Sequence, residues 1–140
     1  MTTHSPVALP MAIAALAVTF AATFAAPARA VEAPDYFVQS IFDATTAEQL
    51  AIFCDSVDMD PEGAQAATNA LLERLAGDGF DDPAVYPTFT GVEEGVSTRQ
   101  DAFVARYALD DPTGDKVCEA ARAEMAAGSG ISEYLKEATQ

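Results

Sequence analysis

An all-α domain is predicted by three observations. Amphipathic segments with a helical repeat recur along the chain, no run alternates apolar and polar residues for more than a few positions, and the segments are separated by residues that start and stop helices. The expected architecture is a single small bundle of about five short helices over residues 31–140, stapled by one disulfide and preceded by a signal peptide at residues 1–30.

The leader differs in composition from everything after it. Met11 to Ala26 is almost wholly apolar, and Ala28-Arg29-Ala30 offers small residues at the positions a signal peptidase reads, so cleavage is expected after Ala30. Ahead of the apolar run only the amino terminus and His4 can be positive, which leaves an uncleaved membrane anchor as the alternative. The leader contains no cysteine, so a lipid has no attachment site there.

After the leader, Phe37 and Ile41 stand one turn apart with Val38 and Phe42 beside them, predicting a short helix that Asp43 to Thr46 interrupts. Thr45 with Glu48, or Thr46 with Gln49, forms a capping box, and Leu50, Phe53, Cys54 and Val57 continue at i, i+3, i+4 and i+7. Asp60 before Pro61 opens a third helix, with Ala64, Ala67, Leu71 and Leu75 as its apolar stripe and Gly77 as its end. Residues 78–97 break any long period with glycines, prolines and acids, and read as the long connection of the domain, with one turn starting at Asp82-Pro83. Ser97 with Gln100 caps the next helix, in which Phe103, Val104, Tyr107 and Ala108 face inward until Asp110, Asp111 and Pro112 stop it.

The clearest helix follows. Val117, Ala121 and Met125 recur every fourth residue with Cys118 on the same side, whereas Asp115, Lys116, Glu119 and Arg122 lie outside that face. Thr113 or Asp115 can accept from the free amides at its start, and Gly128 supplies the left-handed residue that commonly ends a helix. Beyond Gly128-Ser129-Gly130, the spacing of Ile131, Tyr134 and Leu135 predicts a last short helix folding back.

Two cysteines in an exported chain of this size read as one disulfide, Cys54 to Cys118, since both sit on apolar helix faces; two buried free thiols are the alternative. Closing a loop of about 65 residues restricts the unfolded chain by about 4 kcal/mol on the loop-entropy account.

Cys118, Arg122-Ala123-Glu124, Ala126, Gly128-Ser129, Ile131 and Leu135 resemble the closing motif of an uncharacterised family of short exported alphaproteobacterial proteins, classed as a domain of unknown function. Cys54, Leu71, Leu72, Leu75 and Gly79-Phe80 resemble the upstream half more weakly. Pro87, Gly91 and Gly95 depart from the unbroken helix usual in that family's second half. The resemblance implies the fold and the compartment, and no site residues.

The chemistry is bounded mainly by what is missing. The only histidine is His4, within the leader, so the mature chain has no imidazole for Ser-His or Cys-His nucleophilic catalysis or for zinc. No catalytic, cofactor-binding or metal-binding residues are therefore predicted, and the expectation is that the protein is not an enzyme. A carboxylate pair remains chemically capable of acid–base work, but with 22 acids some pair must be close by chance. Phe80, Tyr86 and Phe89 either line a pocket or anchor the connection. Asp58-x-Asp60-x-Glu62-Gly63 imitates the first half of a calcium loop, but Asn69 stands where the bidentate carboxylate belongs, and Asp60-Pro61 reads more simply as a helix start.

Six basic side chains against 22 acidic ones follow position 30, a formal charge of −16. Such a surface repels nucleic acid and anionic lipid; it serves solubility or selects a basic protein partner. Two classes of function result. One is an exported, periplasmic or secreted, accessory or interaction protein with an acidic surface, an acid-activated chaperone being a variant of it. The other is a small-ligand or cation-binding helical module that uses the 78–97 connection as a lid. An exposed apolar stripe favours the first, and an apolar pocket beneath the connection favours the second.

Overall fold

The computed structural model describes residues 30–139, so the predicted leader and its cleavage site lie almost wholly outside the described residues. Within them are four α-helices, two 3-10 helices and four very short strands, in the order β1 (Val31–Glu32), α1 (Asp35–Phe53), β2 (Val57–Met59), α2 (Pro61–Gly77), a 3-10 helix (Pro83–Thr88), β3 (Phe89–Thr90), α3 (Val92–Tyr107), α4 (Gly114–Ala127), a second 3-10 helix (Gly130–Tyr134) and β4 (Leu135–Glu137). The all-α bundle expected from the periodicity is the observed class, with the disulfide in place.

Three predicted boundaries differ. The first two predicted helices are one, because nothing between Asp43 and Thr46 removes an amide or needs a left-handed backbone. The Thr45 hydroxyl donates to the Ile41 carbonyl one turn back, at 2.8 Å, instead of capping a new helix. Helix α3 starts at Val92, behind Gly91 in the left-handed conformation (φ 79°), so Ser97 lies inside it rather than at its cap. It ends at Tyr107; Ala108 turns left-handed (φ 52°) and is exposed, while Leu109 packs on the core in its place. Elsewhere the predicted caps hold: Asp60 accepts from the Glu62 amide, Asp82 from Ala84, Thr113 from Lys116, and Gly128 (φ 62°) closes α4.

The strands are new relative to the sequence reading. β1 pairs parallel with β3, Val31 opposite Phe89, and β2 pairs antiparallel with β4, Val57 opposite Glu137 and Met59 opposite Leu135. Val57 and Leu135, assigned above to helices, are therefore strand residues, and both are buried. Strands of two or three residues have no period to display, so only their distant partners define them.

The core forms where α1, α4 and the second 3-10 helix meet. Ala47, Cys54, Ala120 and Ala121 are fully buried, with Phe42, Leu50, Val117, Ile131 and Tyr134 around them. Small side chains let the helix backbones approach, and the Cys54 and Cys118 α-carbons are 5.0 Å apart, within disulfide reach. Gly130 is needed at the turn after α4, because a β-carbon there would overlap the Asp43 carboxylate.

Candidate functional site

Two features of this frame present chemistry. The first lies between α1 and α3. Leu50 and Phe53 of α1, Phe103 and Val104 of α3, and Leu109 and Pro112 of the link to α4 line an open groove of about 360 Å³. Phe53 is 61 % exposed and its neighbour Ile52 59 %, the most exposed large apolar side chains among the described residues. They are exposed because α1 ends here: Cys54 turns inward to its disulfide in an extended conformation (φ −128°) and leaves the last turn projecting. Acids frame the groove: Asp101 lines it, and Asp110 and Asp111 lie between Leu109 and Pro112. Its nearest lysine in sequence, Lys116, is held by the Ala108 carbonyl at 3.2 Å. Thr46, at the groove's inner wall, has a buried hydroxyl with no hydrogen-bond partner.

The second feature is a pair of buried acids. Asp43 and Glu124 are 8 % and 4 % exposed at a cavity of about 230 Å³ between α1, α3 and the end of α4. Burial, first, raises the Asp43 carboxyl above its ordinary value; Glu133 and Glu124 push the same way, against the Gln39 hydrogen bond and the Arg99 charge. The Tyr107 hydroxyl donates to Glu124 Oε1 at 2.6 Å; burial and then that carboxylate raise the phenol's pKa. Sequence reasoning placed neither carboxylate inside. A signal existed: Glu124 continues the spacing of Val117 and Ala121, and Asp43 that of Ala47, Leu50 and Cys54.

The connection expected to form a lid packs over its own rings. Phe89 is the hub, with Phe37, Phe80 and Tyr86 at centroid distances of 5.1, 5.2 and 5.9 Å. Phe80, Tyr86 and Phe89 are thus anchors. The calcium-like segment is divided between β2 and α2, with Asp60 spent as a cap. Among the described residues no three His, Cys, Asp or Glu side chains are grouped to hold a metal, and no helix is long and apolar enough to cross a membrane.

The fold defines a small helical domain with one internal disulfide. Residues 29–136 match DUF5333, a family of unknown function, and the chain belongs to that family. No curated protein and no solved structure matches it.

Proposed function

We propose that this is a non-enzymatic exported accessory protein, periplasmic or secreted, whose acidic surface and α1–α3 groove hold a basic protein segment. The observation that carries the proposal is Phe53, 61 % exposed in the wall of an apolar groove with Asp101 at its edge, with Ile52 exposed one residue before it at the end of α1. Contiguous apolar surface of this kind, rimmed by charge, is how soluble proteins present binding sites. The bases do little to oppose it, being six against 22 acids after position 30, and of them Arg99 is paired with Asp35 and Arg106 faces Glu124. A positive partner is drawn in by long-range attraction and then anchored by apolar contact. Export is supported by the disulfide and by a family match that begins beside the expected cleavage site.

The test is a pull-down from the periplasmic fraction with the disulfide-intact protein and with an Ile52→Ala, Phe53→Ala double variant. The expected result is one basic protein, released as salt rises because screening shortens from about 8 Å at physiological ionic strength, and at least tenfold depleted with the variant. An enriched partner that is acidic, insensitive to salt, or retained equally by the variant sinks the reading.

A further inference from the structure

The wall of the α1–α3 groove contains one polar atom with nothing to bond. Thr46 is 6 % exposed and lines the groove, and its Oγ1 is the only buried side-chain oxygen or nitrogen without a hydrogen-bond partner among the described residues. A threonine inside a helix ordinarily donates to the carbonyl one turn back. Thr45 does so, to Ile41 at 2.8 Å, and it reaches the Phe42 carbonyl as well, at 3.2 Å. The Phe42 carbonyl is also the one the Thr46 amide takes in the α-helical ladder, so both its lone pairs are engaged and the Thr46 hydroxyl has no local acceptor. The groove's other polar side chains, Gln49, Gln100 and Asp101, are exposed and can be hydrated. A threonine's methyl and hydroxyl exchange places on rotation about χ1, and two rotamers are open to it in a helix, so the hydroxyl can meet a group seated in the groove.

A polar atom left unpaired in an apolar wall costs stability that an occupant recovers by bonding it. The chemistry of that occupant follows from the walls. Leu50, Phe53, Phe103, Val104 and Leu109 call for an apolar body, the single hydroxyl calls for one neutral polar atom at its end, and Asp101 calls for positive charge outside. The head of a lysine or arginine carries a charge that one neutral hydroxyl cannot match at that depth. A serine is too short to fill about 360 Å³, and a leucine or phenylalanine fills it but leaves the hydroxyl unpaired. A tyrosine meets the first two conditions, because its ring is rigid and apolar and its hydroxyl both donates and accepts; a basic neighbour meets the third. We infer that the basic segment enters the groove through a tyrosine side chain, its ring against Phe53 and Phe103, its phenol hydrogen-bonded to Thr46 Oγ1, and a lysine or arginine beside it in sequence facing Asp101. This anchor rests on the groove being the partner's site.

Two capped peptides that differ by one oxygen, lysyl-tyrosyl-lysine and lysyl-phenylalanyl-lysine, are titrated into the disulfide-bonded protein, and amide shifts report where they bind. The tyrosine peptide should bind saturably, with shifts centred on Thr46, Leu50 and Phe103, and about fivefold more tightly than the phenylalanine peptide, the effect of one net hydrogen bond. Thr46→Val, which puts a methyl where the hydroxyl was, should abolish that preference. In the free protein the same substitution should not lower the urea midpoint, because the hydroxyl has no partner to lose. Equal affinity of the two peptides for the parent, the same preference kept in Thr46→Val, no saturable binding, shifts spread over the acidic surface, or a destabilised Thr46→Val overturns the inference. The groove reading fails on a different result, the absence of salt-sensitive capture or its indifference to the Ile52→Ala, Phe53→Ala variant. Capture that meets that standard while the two peptides bind alike keeps the groove as the partner's site and removes tyrosine as its anchor.

Discussion

At its C-terminal end α1 is held by a covalent bond and by small residues: Cys54 is tied to Cys118, and Ala47 packs where Ala120 and Ala121 also lie fully buried. At its N-terminal end the same helix is held by rings and charge. Phe37 enters the aromatic cluster around Phe89, Tyr36 lies under the Arg74 guanidinium at 3.8 Å and donates to Asp78 at 2.8 Å, and Asp35 pairs with Arg99. The first arrangement joins two periodic helix faces. The second gathers single side chains from a segment with no period, so one helix shows both how a contact is written into a local pattern and how it escapes one.

The largest expected effect breaks the covalent end. Replacing both cysteines, Cys54→Ser with Cys118→Ser, releases a loop spanning 64 residues of sequence separation, and the unfolded chain should gain freedom worth about 4 kcal/mol. Guanidinium unfolding of the doubly substituted variant should show that loss as a lower midpoint, with a steeper slope because the freed unfolded chain exposes more surface. A loss below about 1 kcal/mol would mean that the α1–α4 contact is held by packing alone, and the contrast between the two ends would collapse.

Next comes Phe89→Ala at the ring-held end, expected to cost about 3 kcal/mol because Phe89 is buried and touches every ring of its cluster. The loss should also be local. Hydrogen exchange should quicken in β1, in the first turn of α1 and across the 3-10 helix Pro83–Thr88, while α4 keeps its protection. Uniform acceleration through α4 would show instead that the two ends unfold as one unit.

The contrast explains what the sequence made legible. Helix α4, with its cap at Thr113, its stop at Gly128 and its buried face, is readable because each signal lies within a turn or two of its effect. The disulfide is readable because compartment chemistry and two apolar faces point to the same pair. The start of α3 is not, since a serine spaced like a cap outweighs a glycine whose left-handed φ only the fold reveals. The strands depend on partners far along the chain. Of the candidate sites, the surplus of acid was legible, and the burial of Asp43 and Glu124 was signalled only by their helical spacing with core residues. Acids are expected outside, and only a three-dimensional neighbourhood explains why Asp43 and Glu124 are tolerated within.

Asp43 lies on α1 between the two ends, and it offers the smallest and sharpest test. Its folded pKa is raised above the ordinary 3.8, chiefly by burial, with Glu133 and Glu124 adding and the Gln39 bond and Arg99 opposing. The folded state therefore holds this proton more tightly than the unfolded chain does. The resulting stability is complete below the ordinary value and disappears as pH rises through the raised one, so at neutral pH the ionised group is a burden on the fold. In Asp43→Asn the side-chain oxygen can keep the Gln39 amide, and no charge is buried. The variant should be modestly more stable than the parent at pH 7, and the difference should shrink toward about pH 4, where the parent's carboxyl is becoming protonated. Urea midpoints across that range are the measurement. If the variant is less stable by the same amount at every pH, Asp43 supports the fold through a contact that does not depend on its charge.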